Sequence, residues 1–343
     1  MKKKVALWLV LAMVMFAFAA CGGGAQEEAP AEETPSVEAV KTGLAVITSA
    51  AKSKDAGDAN GVAQADSLVA AVTVDDAGTI IKCVIDQAQT KIEFSKEGKI
   101  VTPLDTVFVA KKEMGTNYGM GKASGIGKEW NEQAEAFADY VVGKTVEEVK
   151  GIAVNEEGVP TDEDLASSVT VHVTDFIEAI EKAAANAQAI GASADDKLGL
   201  GVVTGIAKSK DAAEEDGLAQ AYTYYTATTF NADGVITSSI IDASQTNINI
   251  SKEGKITSDI NAAFQTKNEL GDAYGMKKAS AIGKEWNEQA QAFAEYVVGK
   301  TMDEVKGIAI EEGVPAGDDL KSSVTVHVTD FLTVLDKAFN TAK

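Results

Sequence analysis

The chain of 343 residues has no arginine, only two histidines and only two cysteines. Its formal net charge of -21 comes from an excess of Asp and Glu over Lys. A nucleic-acid backbone needs a basic surface, so nucleic acid is excluded as a partner. No cluster of Cys and His has metal-ligand spacing, which excludes structural zinc and predicts no metal site. No Ser, His and Asp spacing indicates a hydrolase.

One of the two cysteines, Cys21, follows a basic start and an apolar run from Val5 to Ala20. This pattern is typical of a secretory signal, and the run is too short for a convincing membrane span. Small residues before Cys21 and three glycines after it resemble a bacterial lipobox. The resemblance implies a lipoprotein signal peptide at residues 1–20 and lipidation of Cys21. The alternative is an ordinary signal peptide with an incidental cysteine.

The other cysteine, Cys83, is replaced by Ser239 in the second copy of a repeat described below. A thiol that one copy lacks is not needed for chemistry that both copies share. We therefore predict that Cys83 is a buried small apolar residue.

Residues 21–40 are rich in Glu, Ala, Pro and Thr and contain few residues that could form a core. Such a composition does not offset the entropy lost on ordering the chain, so we predict a lipidated, acidic, flexible tether.

The rest of the chain is an internal duplication. Residues 118–133 recur almost unchanged at 274–289, and the offset is 155 or 156 residues along the chain. Solenoid repeats are about 20 to 50 residues long, so this period indicates two tandem homologous domains. We predict one domain at 41–187, a linker at 188–197 and the second domain at 198–343.

Within each copy, strands are predicted before helices. Residues 67–74 and 79–85 flank a turn at 75–78, which predicts a hairpin, and 90–94 predicts a further strand. A helix is predicted from the spacing of its apolar residues, and a short helix follows Gly143 at 145–149. The apolar residues are Trp130, Ala134, Phe137, Ala138 and Val141. This order predicts an α+β fold with a largely antiparallel sheet packed with helices in each domain.

A short segment, D-L-A-S-S-V-T at 164–170, recurs as D-L-K-S-S-V-T at 319–325. Both copies follow Gly-Val-Pro and continue as V-H-V-T-D-F. The alternation of Val169, Val171 and Val173 is compatible with a strand. The spacing of Val169, Val173 and the apolar residues after them favours a helix, and Thr161 with Asp164 resembles a capping box at its start.

The pattern D-x-x-S-S-V-T resembles D-x-x-[ST]-G-[AS]-T, the signature at which ApbE-type flavin transferases couple FMN to threonine. The resemblance implies that Thr170 and Thr325 are the acceptors. It also implies that Asp164, Ser167, Asp319 and Ser322 are recognised by the transferase, and that each acceptor lies at or near the start of the last helix. Ser-Val stands here where the commonest pattern has Gly-Ala.

With its lipobox, acidic tether and two motif-bearing domains, the chain resembles the Gram-positive extracellular electron-transfer flavolipoproteins of the PplA (pheromone-encoding lipoprotein) type. This resemblance implies a lipid-anchored protein on the extracellular face of the cytoplasmic membrane with two covalent FMN groups. The partners it implies are a flavin transferase, a membrane NADH dehydrogenase and quinone system, and extracellular acceptors such as ferric iron. An electron carrier is favoured over an enzyme with a bound organic substrate.

Other residues that both copies share are candidates for the surroundings of the flavins. They are Met120, Lys122, Trp130 and His172 in the first copy, and Met276, Lys278, Trp286 and His327 in the second. The tryptophans could stack on a flavin, although helical spacing favours core packing. The lysines could meet a phosphate or be solvated, and the histidines could tune a flavin or lie at the surface.

Two other classes of function remain open from the sequence. The first is a surface lipoprotein that binds a small molecule or a cation without redox chemistry. The second is a structural or adhesion lipoprotein without a cofactor.

Overall fold

The computed structural model describes residues 38–343. Cys21 and the signal peptide lie outside the described residues, as does the predicted tether up to residue 37. Glu38 to Val40, which we assigned to the tether, pair with the predicted linker: Val40 donates its N–H to the carbonyl of Ala192 (3.0 Å), and Glu38 accepts from Ala194 (2.8 Å).

The fold is α+β, as predicted, and the two halves share three strands and five helices in the same order, to which the second half adds a short pair of strands. The first half contains β1 (Lys41–Ser49), β2 (Gly61–Val74), β3 (Ile80–Phe94), α1 (Lys111–Met114), α2 (Trp130–Val141), α3 (Val146–Lys150), α4 (Glu163–Ala166) and α5 (Thr174–Ala185). The second contains β4 (Lys197–Gly205), β5 (Gly217–Phe230), β6 (Ile236–Ile250), α6 (Lys267–Leu270), α7 (Trp286–Val297), α8 (Met302–Lys306), β7 (Ile310–Glu311), β8 (Val314–Pro315), α9 (Asp318–Lys321) and α10 (Thr329–Thr341).

Each half has a three-stranded antiparallel sheet, ordered β1-β2-β3 in the first and β4-β5-β6 in the second. The predicted hairpin around residues 75–78 is confirmed, although its strands are longer than the sequence indicated. The separate strand predicted at 90–94 is wrong, because these residues are the end of the continuous β3. The polar residues of β3 do not end the strand, since β2 pairs with it over its whole length.

The helices cover one face of each sheet. Phe137 of α2 and Phe176 of α5 pack in the same cluster as Leu68, Ala70 and Val72 of β2. The helix predicted around Trp130 and the short helix after Gly143 are both confirmed. Cys83 is buried in this cluster, as predicted, and burial raises the pKa of its thiol to about 12.

The opposite faces of the two sheets pack against each other. Val69 and Ala71, which alternate with the residues above, share a cluster with Leu198 and Tyr225 of the second half. Both faces of β2 are therefore covered, and this explains why nearly all of its residues are buried. The order of layers is helices, sheet, sheet, helices, and residues 38–343 form one compact unit.

Contacts between the halves are reciprocal. Asp211 accepts the N–H of Ile100 (2.9 Å), and the equivalent Asp55 accepts the N–H of Ile256 (2.8 Å). A contact from the first half to the second is thus repeated, with equivalent residues, from the second half to the first. This is the pattern of a two-fold interface between identical subunits. The duplicated halves are therefore packed like the protomers of an isologous dimer.

Candidate functional site

The two acceptor threonines lie in loops. Residues 167–173 connect α4 to α5 and residues 322–328 connect α9 to α10, and we call these segments the acceptor loops. Thr170 is exposed and Thr325 is partly exposed. The helix that we favoured at the acceptor is therefore wrong, and so is the strand. Each acceptor nevertheless lies four residues before the last helix of its half, as the family resemblance implies.

Local hydrogen bonds explain why the short helix does not continue. The hydroxyls of Ser167 and Ser168 donate to the carbonyls of Asp164 (2.7 Å) and Leu165 (3.1 Å) at its C-terminus. Ser and Thr hydroxyls that bond nearby backbone groups compete with helix formation in this way. The start of α4 also differs from the prediction, because the residue that caps it is Asp162 rather than Thr161.

Two buried valines attach each acceptor loop to the core. Val169 and Val173 are fully buried on either side of Thr170, and the N–H of Val173 donates to the carbonyl of Gly158 (2.8 Å). Val324, Val328 and Gly313 repeat this arrangement around Thr325. The helical spacing of these valines therefore reflects two buried residues that attach the loop to the core, not a helix. The threonine between them faces outward.

A buried glutamine holds each acceptor threonine. The side-chain oxygen of Gln133 in α2 accepts the N–H (2.8 Å) and the hydroxyl (3.2 Å) of Thr170, while its Nε2 donates to the hydroxyl of Ser124 (3.2 Å) and the carbonyl of Lys128 (3.1 Å). Gln289 makes the same four bonds in the second half, with Thr325, Ser280 and Lys284. Both glutamines are 0% exposed. The hydroxyl is therefore fixed in position while the loop around it remains accessible.

The residues assigned to transferase recognition lie at the surface beside the acceptors. Asp164, Ser167, Asp319 and Ser322 are all exposed. Their side chains form a short strip on α4 or α9 and the start of the following loop.

A cleft adjoins Thr325 in the second half. Its volume is about 480 Å³, within the usual range of small-molecule pockets of about 300–1,000 Å³. Val326 and His327, which directly follow the acceptor, line it. The other lining residues come from β4, β5, α6 and the helices around them: Val203, Thr204, Gly205, Ala207, Lys208, Tyr222, Tyr224, Lys267, Tyr274, Met276, Trp286 and Asp330.

A buried lysine with aromatic neighbours lies in this cleft. Lys267 is 2% exposed, and its Nζ lies 4.6, 4.3 and 4.7 Å from the ring centres of Tyr222, Tyr274 and Trp286. It also donates to the hydroxyl of Tyr222. Burial lowers the pKa of Lys267 to about 7. Within residues 38–343, Lys267 takes part in no ion pair, so the cleft presents a cation without a carboxylate partner.

The first half repeats this arrangement, but charges differ around the lysine: it has Asp66 and the exposed Lys91 where the second half has Tyr222 and Asn247. Lys111 lies 4.5 Å from the ring centre of Tyr118 and 4.8 Å from that of Trp130, and burial lowers its pKa to about 8. The position of Tyr222 is taken by Asp66, which is buried and pairs with Lys52 at 2.9 Å. Gln64 also donates to both carboxylate oxygens of Asp66, at 2.9 and 3.0 Å.

The other predicted flavin neighbours fall into two groups. Met276, Trp286 and His327 line the cleft of the second half, although both tryptophans are largely buried in the cores. Met120 is partly buried against its core, and His172 is exposed beside its acceptor. Lys122 and Lys278 are exposed, and Lys278 is not among the residues that line the cleft.

Sequence reasoning missed two pairs of residues at this site, the glutamines and the buried lysines. Gln133 lies on the apolar face of α2 with Trp130 and Phe137. A polar residue on that face, present in both copies, was the signal that could have found it. Lys111 and Lys267 lie on very short helices, for which periodicity gives no signal.

Comparisons with known proteins give little to set beside this geometry. No protein-family model matches the chain, and no solved structure matches it. A curated protein named chlorophenol reductase, from Desulfitobacterium hafniense, is 54% identical over 43 residues. That match covers 12% of this chain and 13% of the reductase.

Two further observations concern the described part of the chain. Among residues 38–343, no group of three or more His, Cys, Asp or Glu side chains is arranged to hold a metal ion. No helix in this range has both the length and the apolar character needed to cross a membrane.

Proposed function

We propose that the chain is a lipid-anchored extracellular electron carrier with one FMN joined by a phosphoester to Thr170 and one to Thr325. One observation carries the proposal. Each threonine lies in an accessible loop, its hydroxyl is held by a buried glutamine, and an aromatic site with a buried lysine lies close by in the same half.

The acceptor role suits the way the threonine is held. A modification site needs a hydroxyl that the transferase can reach and a fixed local shape. Gln133 and Gln289 supply the fixed shape, since an amide oxygen accepts the hydroxyl proton without removing it. Removal of that proton when the phosphoester forms is left to the transferase, whose access is favoured by the exposed strip at Asp164 and Asp319.

The cleft of the second half suits a flavin ring. A bound flavin supplies the ability to take up and release electrons. The aromatic walls at Tyr224 and Trp286 offer apolar contact, and Lys267, whose pKa burial lowers to about 7, offers a positive charge in a poorly solvated place when it is protonated. A cation there stabilises negative charge on a ligand more strongly than it would in water.

The wider setting comes from the family resemblance. The proposal places the protein on the extracellular face of the cytoplasmic membrane, anchored through Cys21. Electrons would arrive from a membrane NADH dehydrogenase and quinone system and leave to ferric iron or another extracellular acceptor. The match to chlorophenol reductase is too short to bring that protein's activity to this chain.

Intact mass and visible absorbance test the proposal. The protein is purified from a host that expresses a flavin transferase and from a matched host without one. We expect two FMN phosphoester increments, mapped by peptide analysis to Thr170 and Thr325, only in the first preparation. An unmodified, colourless protein made beside an active transferase would overturn the proposal and favour a lipoprotein that binds a small molecule without redox chemistry.

A further inference from the structure

The two halves differ in charge where they should surround a flavin. Asp66 of β2 and Tyr222 of β5 occupy equivalent positions, and Tyr222 lies against the buried lysine of its half. Other charged positions of the second cleft are shared between the halves: Lys208, His327 and Asp330 correspond to Lys52, His172 and Asp175. The first half therefore carries one extra carboxylate.

The carboxylate of Asp66 is not cancelled by its surroundings. Asp66 pairs with Lys52, and the second half has the equivalent lysine, Lys208, in its cleft. The second half has Tyr222 at the position of Asp66, so the lysine is common to both halves and the carboxylate is not. The side chain of Lys52 is 68% exposed and that of Asp66 is 7% exposed. Water screens the lysine more than the buried carboxylate, so the negative charge acts more strongly inside the site.

The remaining charged groups near the buried lysines do not remove this difference. Asp242 of β6 and Asp86 of β3 act on Lys267 and Lys111 through charge, although they lie opposite Tyr225 and Val69 on the face between the two sheets. Burial raises the pKa of both carboxyls, to about 7 and about 6. Glu269 and Glu113 follow the lysines on their own helices, and each pairs with a lysine of the opposite half. These groups occur in both halves. Lys91, which acts on Lys111, is a second asymmetric charge because its counterpart is Asn247, but Lys91 is exposed and therefore screened by water, whereas Asp66 is buried.

We propose that the two flavin sites are unequal, and that electrons pass from the flavin on Thr170 to the flavin on Thr325. This inference rests on the proposed function. Reduction of a flavin by two electrons and one proton adds one negative charge to the ring. Asp66 repels that charge in the first half, whereas the second half presents Lys267 and two neutral tyrosines. The site of the second half therefore has the more positive midpoint potential.

The balance of the transfer is simple. A donor of the quinol class would lose two electrons and two protons on oxidation to the quinone. The first flavin would take both electrons and one proton, and the other proton would go to solvent. Transfer of both electrons to the second site would be balanced if that site takes up one proton and the first site releases one. A single partly screened charge biases such an equilibrium on the order of tenfold.

Single-site proteins test the inference. Thr170→Val leaves only the flavin on Thr325, and Thr325→Val leaves only the flavin on Thr170. Both are loaded by co-expression with the transferase and titrated by spectroelectrochemistry at pH 7. We expect the more positive midpoint potential in Thr170→Val. Equal potentials, or the opposite order, would overturn the inference while leaving the proposed function intact.

Two further variants test the cause. Asp66→Asn, made in Thr325→Val, should shift the midpoint potential of the first site toward that of the second. Tyr222→Phe, made in Thr170→Val, removes a hydroxyl without changing charge and should leave the second site more positive. An unchanged potential in Asp66→Asn would overturn the role of the carboxylate.

If Asp66→Asn does not fold, the comparison of the two single-site proteins still decides the order of potentials. Absence of the flavin mass from both single-site proteins would overturn the proposed function, and the inference with it.

Discussion

The two halves agree closely in their acceptor loops and differ in the strands beside them. In both, the same glutamine makes the same four hydrogen bonds, with donor–acceptor distances that agree within 0.1 Å. On the strands, Asp66 and Leu68 of the first half are replaced by Tyr222 and Tyr224 of the second. The parts that would present the threonine to a modifying enzyme are thus alike, and the walls beside the buried lysine are not.

This difference shows which features depend on a common requirement. A transferase that modifies both sites needs one loop shape, so the buried valines and glutamine of that loop recur. Leu68 and Tyr224 pack in the cores of their halves, and Tyr222 and Tyr224 also line the cleft of the second half, so these strand positions tolerate charged, aliphatic or aromatic side chains. Divergence there changes electrostatics without changing the fold.

Equivalent substitutions at the interface between the halves should have the largest effects on stability, and similar ones in both halves. Gly98 and Gly254 are in the left-handed region (φ +69° and +66°), and a Cβ on Gly98 would lie 2.4 Å from the carbonyl oxygen of Ser251. Backbone strain and overpacking together should reduce the free energy of unfolding by about 2–5 kcal/mol for Gly98→Ala and for Gly254→Ala. Urea unfolding measures both.

Gly57→Ala is the matched control for these two substitutions. A Cβ at Gly57 meets open space, and the equivalent residue of the second half is already Ala213. We expect a change within about 0.5 kcal/mol. A large loss at only one of Gly98 and Gly254 would contradict the reciprocal packing.

The glutamines should give the next largest effect. Gln133→Ala and Gln289→Ala each remove a buried side chain and leave polar groups without partners, at a cost of about 2–3 kcal/mol. Each should also lower flavin attachment at the threonine of its own half, measured by site-resolved mass spectrometry. Gln291→Ala, which removes only an exposed contact with Glu295, is the control. Unaltered flavin attachment in both glutamine variants would show that the glutamine hydrogen bonds are not needed for modification of the threonine.

The two buried lysines should change the pH dependence of the free energy of unfolding in different ways. The folded-state pKa of each lysine is below its unfolded value, so the unfolded chain binds more protons and stability rises with pH through this window. The window begins at about 7 for Lys267 and at about 8 for Lys111, and both end near 10.5. Lys267→Met should flatten the rise from pH 7 upward, and Lys111→Met only from pH 8, by about 1 kcal/mol per pH unit or less.

Urea unfolding of the flavin-free protein between pH 6.5 and 9.5 measures this effect. Lys278→Met serves as the control because Lys278 is exposed. Identical pH profiles for Lys111→Met and Lys267→Met would contradict the difference between the two sites.

The ion pairs that join the halves should matter least. Lys182 pairs with Glu269, and the equivalent Lys337 pairs with Glu113. Partly exposed pairs of this kind contribute about 0–1 kcal/mol, so Lys182→Ala and Lys337→Ala should destabilise slightly and to the same extent. Thermal unfolding in low and high salt measures the effect, and a loss well above this range for either variant would show that the pair does more than join two surfaces.

Much of the fold could be predicted because its signals are local. The turn at 75–78, the apolar face of α2 and the cap of α3 at Thr145 depend on residues close together in the chain. The acceptor loop was predicted less well. Val169 and Val173 have the spacing of a helix, but the hydroxyl of Ser167 takes the carbonyl of Asp164 and the distant Gln133 takes the N–H of Thr170, two backbone groups that a longer helix would use.

The sequence by itself determined the duplication, the α+β order of elements and the two equivalent threonines, because each depends on residue identity and short-range spacing. The tertiary structure decided the rest. It packed the two sheets against each other through faces that only the full fold brings together. It also placed Lys267 among Tyr222, Tyr274 and Trp286, and Asp66 at the matching place near Lys111. Burial and charge at a site are properties of chain segments distant in sequence, and only their packing sets them.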